Sequence, residues 1–296
     1  MADYHGPLCV LAGALCFSTI GFTQAICLTD GATPLLTCAT RVIVGGLALL
    51  AWCALTGKLP RRGDWPLLNL AVSALAILGF LLFFLWGTLL AGVAIGTLVA
   101  IGSTPLAAAA LAAVFLGEHP VPAWYPATAL AVVGMILLNW TGEEVRLTRV
   151  LIPALAGCCY GLYMTFSRRL TRSNPPEAVM AVIFLVDSVL LLPFLEYGSM
   201  GWLLSTKGLF YTLNLGLVTA ALGFTLTQRG LMTTPASTAG TLALGEPLGA
   251  MALGFAALGE PISRAGLMGV ACVLAGALLL ILKSASAGTR RADQGS

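Results

Sequence analysis

Residues 234–261 read TPASTAGTLALGEPLGAMALGFAALGEP, a stretch apolar enough to cross a bilayer that carries a carboxylate, Glu246, near its middle and directly before Pro247, and a second, Glu260, at its end. A weaker copy lies in the first half of the chain: Ser103-Thr104-Pro105, an alanine-rich run, then Gly117-Glu118-His119-Pro120. Pro105 precedes Glu118 by 13 positions, and Pro247 precedes Glu260 by 13. A shift of 142 residues lays Pro105 on Pro247, Glu118 on Glu260, Gly134 on Gly276, and AVVGMILL on VLAGALLL. Near the start of each half, Leu11-Ala12-Gly13 matches Leu155-Ala156-Gly157 at a shift of 144. A chain written twice from one apolar unit has to fold as two copies of one helical arrangement.

The unit belongs in a bilayer. The chain is 58% hydrophobic and 9% charged, whereas soluble domains carry about 25% charged residues. A surface that apolar would aggregate in water, so the fold class is all-α integral membrane, with every backbone polar group satisfied inside helices. Apolar runs of about 20 residues, divided by charge, proline and glycine, give ten spans: 7–28, 34–56, 66–89, 92–116, 122–141, 150–168, 177–196, 207–229, 235–258 and 264–283. Only Ala91-Gly92 divides the third span from the fourth, and length demands the break, because 66 to 116 is too long for one crossing. The loops are short, so no soluble module is expected. The first five-helix repeat covers 1–145, the second 146–285, and a short cytoplasmic tail 286–296. A cleavable leader is not expected either, since MADYHG lacks a basic start and the apolar run after Pro7 is too long. The eight cysteines all fall within apolar stretches and read as small fillers rather than disulfides or metal ligands.

Loop charge sets the orientation. Lys58, Arg61, Arg62, Arg168, Arg169, Arg172, Arg229, Lys283, Arg290 and Arg291 fall on one side, ten residues against Arg146, Arg149, Lys207 and Arg264 on the other. Both termini are therefore expected in the cytoplasm, and the membrane expected is the bacterial-type inner membrane. Because five is odd, the second copy enters the bilayer from the side opposite the first. Inverted repeats of this kind let two halves rock around a site near the midplane.

At the phrases Pro105…Leu116-Gly117-Glu118 with Gly134 behind, and Glu246-Pro247…Leu258-Gly259-Glu260 with Gly276 behind, the chain resembles the drug/metabolite transporter superfamily, in particular its EamA-type ten-span exporters. The resemblance implies ten transmembrane helices as a 5+5 inverted repeat around a central cavity. Spans one, three, four, six, eight and nine would line that cavity, and spans five and ten would serve as packing or dimer helices. Members export amino acids, other metabolites and toxic compounds, often by proton exchange or facilitated diffusion. The first copy has Thr104 where the second has Glu246, so any role of that carboxylate is asymmetric.

Ionisable groups inside spans are costly and point to function by default. Glu246 lies in the ninth span, Asp187 in the seventh, and Arg41 about 10 Å into the second. Glu246 suits a proton carrier or a partner for a substrate ammonium group; it equally suits an acceptor holding backbone loosened by Pro247. Asp187 could pair with Arg41, burying two charges together, or take part in proton coupling. Arg41 could instead attract a substrate carboxylate. Glu118 and Glu260 read as caps of surface turns.

The expected cavity wall comprises Thr23, Gln24, Phe83, Trp86, Thr97, Ser103, Tyr160, Tyr163, Gln228, Ser237 and Thr241. Trp86 and Gln228 are counterparts at the 142 shift, one suited to stacking on a substrate and the other to hydrogen bonding. Against this stands the common use of Trp and Tyr near span ends as interface anchors. On a helical wheel Glu246 shares a face with Ala239, Ala243, Gly249 and Ala250, while Ser237 and Thr241 point nearly opposite. Gly92 and Gly96, and Gly245 and Gly249, recur at four-residue spacing and let backbones approach. Pro105 and Pro247 remove helix hydrogen bonds. Spans four and nine are thus the expected gates.

These features read as a secondary transporter that exports small amphipathic metabolites, amino acids first, by alternating access as a uniporter or proton antiporter. Multidrug or nucleotide-sugar-like transport is the alternative within the superfamily. The expected partners are a small-molecule substrate, the lipid bilayer and protons, with the chain a monomer or homodimer; no nucleic acid, cofactor or metal is expected. A membrane enzyme is disfavoured, since there is no HExxH motif and only two histidines occur. An ion channel would want a pore-lining repeat of one polar type, and a primary pump a phosphate-binding G-x-x-x-x-G-K-[ST] loop, which this chain lacks.

Overall fold

Among the described residues, six helical stretches are long and apolar enough to cross a membrane: Pro34–Leu55, Leu67–Ala91, Ile95–Leu116, Val150–Leu170, Thr206–Leu231 and Arg264–Lys283. They belong to a computed structural model that describes residues 4–29, 32–60, 65–139, 147–195, 200–258 and 263–293, and no strand occurs among the described residues. The remaining four spans are shorter or broken. The first is His5–Phe17 followed by Thr19–Thr29, the fifth Trp124–Asn139, and the seventh Pro176–Leu191. The ninth is Ala236–Leu242, a 3-10 turn at Ala243–Gly245, then Glu246–Leu258.

Local chemistry explains these bounds. Thr33 Oγ1 accepts a hydrogen bond from Leu36 N at 3.3 Å, with Pro34 opening the second span where its missing N–H costs nothing. Gly92 divides the third span from the fourth at φ 84°, backbone that only glycine adopts freely. Gly117 ends the fourth span at φ 66°, and the Glu118 amide folds back onto Ala112 O at 3.1 Å. The seventh span stops short of the predicted residue 196, because Pro193 imposes a 3-10 turn at Leu192–Phe194. Helix Arg264–Asp293 runs on past the predicted end of the tenth span, into the segment expected to be a tail.

The two halves are inverted. Glu118, closing the fourth span, pairs with Arg168, closing the sixth. Glu177, opening the seventh, pairs with Arg229, closing the eighth, and with Lys58, just past the second, at 3.6 Å. Gly6, opening the first span, lies against Thr233, Thr234 and Gly230. The starts of spans one and seven and the ends of spans two, four, six and eight therefore share one basic end. The second five-helix unit accordingly starts on the side opposite the first. Spans five and ten pack backbone to backbone, such that a Cβ at Gly134 would stand 2.6 Å from Gly269 O and one at Gly276 2.6 Å from Ala127 O.

Candidate functional site

Three spans lose regular helix at one level of the molecule. The first turns at Ser18, the ninth tightens at Ala243–Gly245, and the eighth runs as a π-helix over Asn214–Phe224. In the ninth span Pro247 offers no N–H to the preceding turn, and its ring crowds the carbonyl four residues back, so the helix tightens just before it. Pro105, its counterpart, stays inside a continuous helix and packs against Gly240. Ser18 Oγ bridges the two broken spans by donating to Glu246 O at 2.7 Å. Gly249 meets Ser18, and Gly245 meets Leu11, so the small face of the ninth span seats the first. π-helical segments and discontinuous helices recur at ligand sites, where side chains are re-aimed.

Beside these breaks lies a narrow cavity of about 30 Å³. Its wall is largely aromatic: Phe17 from the first span, Phe80 and Phe84 from the third, Tyr160 from the sixth and Phe224 from the π-helix. Phe80 stacks on Tyr160 with centroids 4.8 Å apart, and Phe224 stands edge-on to Phe17 at 4.9 Å. Aliphatic side chains such as Ile20, Leu81, Leu85 and Ile101 fill the gaps. Two charged residues complete the lining, Arg41 and Glu246. The Arg41 guanidinium lies over the Phe224 ring, 5.6 Å from its centroid, within cation–π range. Arg41 Nε and Nη2 are buried without a hydrogen-bond partner among the described residues. The ion pairs among the described residues include neither Arg41 nor Glu246. The arrangement can thus offer a fork of donors and a separate carboxylate to one small solute.

The six spans that the resemblance implies all reach this cavity, and the second adds Cys38 and Arg41. Several expected wall residues lie elsewhere. Phe83 and Trp86 are 36% and 57% exposed on the outer face. At about 100° per residue they sit more than about 120° around the helix from the middle of the face that carries Phe80, Leu81, Phe84 and Leu85. Trp86 therefore does not face Gln228, which is held in the interior between Tyr163 Oη at 2.7 Å and Ser167 O at 3.0 Å. Tyr163 also stacks behind Tyr160 at 5.7 Å, buttressing the wall rather than lining it. Thr241 faces the fifth span, sharing a 2.7 Å hydrogen bond with Thr128, and Trp124 Nε1 of that span donates to the backbone carbonyl of Ser237 at 3.0 Å; neither Ser237 nor Thr241 lines the cavity. Ser103 packs against Gly157 of the sixth span and bonds Ala100 O at 3.1 Å. Thr97 is half-buried, one turn from Ile101. Thr23 bonds Asn214 Oδ1 at 3.1 Å, joined there by Thr19 at 3.3 Å. The side chain of Gln24, together with Glu260 and Pro261, lies outside the described residues.

The Arg41–Asp187 pair does not form. Arg41 extends over Phe224 into the cavity, while Asp187 is 0% exposed, with neither oxygen hydrogen-bonded among the described residues. Glu118 is an ion-pair partner of Arg168 rather than a cap, and Arg168 Nε also donates to Leu231 O at 2.8 Å. Sequence reasoning missed Phe17, Phe80, Phe84 and Phe224. The i, i+4 spacing of Phe80 and Phe84 was the one available signal.

Comparison with known proteins agrees with this fold. The sequence matches the profile of the EamA-like transporter family twice, over residues 5–140 and 148–282. It is 34% identical over 276 residues to the uncharacterized transporter YwfM of Bacillus subtilis (strain 168), covering 92% of each chain. An uncharacterized transporter of Archaeoglobus fulgidus is 27% identical over 253 residues, 81% of this chain and 83% of its own. One solved crystal structure shares the fold with a TM-score of 0.80, at 22% identity over 94% of this chain and 97% of its own. With both five-helix halves matched, the chain belongs to the EamA-like transporter family and is an integral membrane protein built as two copies of that family's repeat.

Proposed function

We propose that this protein is a secondary transporter that exports small amphipathic metabolites, amino acids with apolar or aromatic side chains first, by alternating access as a uniporter or proton antiporter. The observation that carries this reading is the Arg41 guanidinium, whose buried Nε and Nη2 have no partner among the described residues while Glu246 lines the same aromatic cavity. Nε and Nη2 form one edge of the guanidinium, the geometry that grips a carboxylate with two parallel hydrogen bonds. Glu246 would take the ammonium group, and the rings around Phe80 and Tyr160 the side chain. A zwitterion would satisfy both charges at once, which a sugar or an inorganic ion would not. In this reading the basic end faces the cytoplasm of a bacterial-type inner membrane, and the halves 1–145 and 146–285 rock about the cavity, with spans four and nine as gates.

Export of lipophilic drugs is the second reading, favoured by the largely aromatic wall. Arg41 opposes it for the cationic drugs that such rings would otherwise attract. The test is uptake of labelled phenylalanine, leucine and a sugar into proteoliposomes, with and without an imposed proton gradient. Saturable flux of the amino acids and none of the sugar is expected. Absence of any amino-acid flux would overturn the substrate class, and flux indifferent to the gradient would overturn proton antiport and leave uniport.

A further inference from the structure

A second concavity, an open groove of about 370 Å³, lies between the second and eighth spans, away from the central cavity. Leu49 and Trp52 form one wall, and Leu217, Leu222 and Leu226 the other. Trp52, Leu217 and Leu222 are exposed, so the groove opens toward the hydrocarbon of the bilayer. Among the described residues, the charged ones that line it, Glu177 and Arg229, stand at the basic end. From Leu217 to Arg229 the eighth span climbs at most about 18 Å, the π-helical part rising less steeply than an α-helix. One leaflet's share of the hydrocarbon core is about 15 Å. The groove therefore runs from headgroup level to near the midplane, apolar along its length and charged at one end.

Two independent observations indicate what fills it. Arg229 and Lys58, 43% and 47% exposed, share the single carboxylate of Glu177, which is 3% exposed. Among the described residues the cluster keeps one surplus positive charge, carried by two half-exposed cations, Arg229 in the lining of the groove and Lys58 beside it. Thr225 lines the groove, is 6% exposed, and its hydroxyl is buried with no hydrogen-bond partner among the described residues. The threonines on either side of it bond back to the helix, Thr219 to Leu215 O at 2.5 Å and Thr227 to Gly223 O at 3.1 Å, whereas Thr212, near the far end of the span and outside the groove, is unpartnered like Thr225 among the described residues. Thr225 lies one turn, about 6 Å, deeper than Arg229, the depth at which glycerol ester carbonyls hang below a phosphate.

We propose that this groove binds one anionic phospholipid, with its phosphate against Arg229 and Lys58, an ester carbonyl accepting from Thr225 Oγ, and one acyl chain laid along Leu217 and Leu222. A zwitterionic lipid would bring a second cation to a cluster already positive. A second copy of the chain, docking through an apolar helix, would leave the surplus charge without a counterion. The lipid would also brace the Glu177 ion pairs that hold spans two, seven and eight together at the basic end.

Native mass spectrometry of the full chain, purified in a non-ionic detergent and offered dioleoyl phosphatidylglycerol and dioleoyl phosphatidylcholine in equal amounts, tests this. One retained phosphatidylglycerol is expected, favoured about fivefold, the factor that one surplus basic charge contributes near an anionic headgroup. Lys58→Gln, which removes that surplus, should bring the two lipids near parity. Thr225→Val should weaken retention of both, and Ala221→Phe, which fills the groove away from its charges, should abolish it. Monodisperse elution and an unchanged melting temperature verify the fold; should Ala221→Phe fail to fold, the other two variants decide the matter. Equal retention of both lipids by the native chain would overturn the proposal. So would a preference that Lys58→Gln and Thr225→Val leave intact, or a dimer that phosphatidylglycerol fails to displace and Ala221→Phe dissociates.

Discussion

Ser18 donates its hydroxyl to the backbone carbonyl of Glu246 across 2.7 Å, which ties the turn in the first span to the turn in the ninth. The contact depends on Gly249, because a Cβ there would overlap Ser18 Oγ. Ser18→Ala should cost about 1 kcal/mol, the net worth of one hydrogen bond. Gly249→Leu should cost more, by forcing the two spans apart. Melting of the purified protein checks both, and a Gly249→Leu variant as stable as Ser18→Ala would show that the close approach is dispensable.

Glu246→Gln keeps the shape of the cavity and removes its carboxylate. Gradient-driven export should be lost, while exchange of amino acid across the liposome membrane persists with a raised half-saturation concentration, because Gln cannot pair with the ammonium group. Driven flux at the native rate would reassign Glu246 to holding the ninth span's break.

Arg41→Gln should raise the apparent half-saturation concentration for phenylalanine by about 10- to 100-fold, the range for hydrogen bonds to a charged group. Arg41→Lys should recover part of the loss, since it keeps the charge but not the planar fork that lies over Phe224. Equal kinetics for the two variants would count against two-pronged recognition of a carboxylate.

Phe80→Ala removes a ring stacked 4.8 Å from Tyr160 in the cavity wall and should weaken substrate affinity about three- to tenfold. Trp86→Ala, on the outer face of the same span, should change transport by less than about twofold. The reverse ranking would mean that the third span presents its other face to the substrate.

Arg168→Gln and Glu118→Gln each break the ion pair joining the fourth and sixth spans at the basic end. Such partly buried pairs are worth on the order of 1 kcal/mol, so the population open toward that end should rise about fivefold. Cys38, buried in the cavity wall, is a native reporter. In a background with the other seven cysteines replaced, its alkylation by a membrane-impermeant reagent added at the basic side should accelerate by that factor. An unchanged rate would show that the pair does not hold the gate.

What could be read in advance follows from what a bilayer constrains. Span number, the inverted repeat and the break at Gly92 are one-dimensional consequences of length and hydropathy, and they hold in the structure. Arg41, Tyr160 and Glu246 stood out as polar or aromatic groups in apolar helices, and all three line the cavity. Helical phase was harder. In the third span lipid and protein interior are equally apolar, so no polar stripe distinguishes the inward Phe80 from the outward Phe83. The meeting of Thr19 and Thr23 with Asn214 depends on a π-helix that no local pattern announces. Likewise the pairing of Arg168 with Glu118 depends on how two distant spans end side by side.

Thr104 occupies in the first copy the place that Glu246 holds in the second, and its hydroxyl is turned back onto Ala100 O at 3.0 Å. Rocking two inverted halves exchanges their positions relative to the membrane but leaves each half its own chemistry. In the reading proposed above, a solute entering from one face meets the carboxylate early in its path, and one entering from the other meets it late. The carrier would then have unequal affinities at its two mouths even without any gradient, a polarity fixed by one side chain.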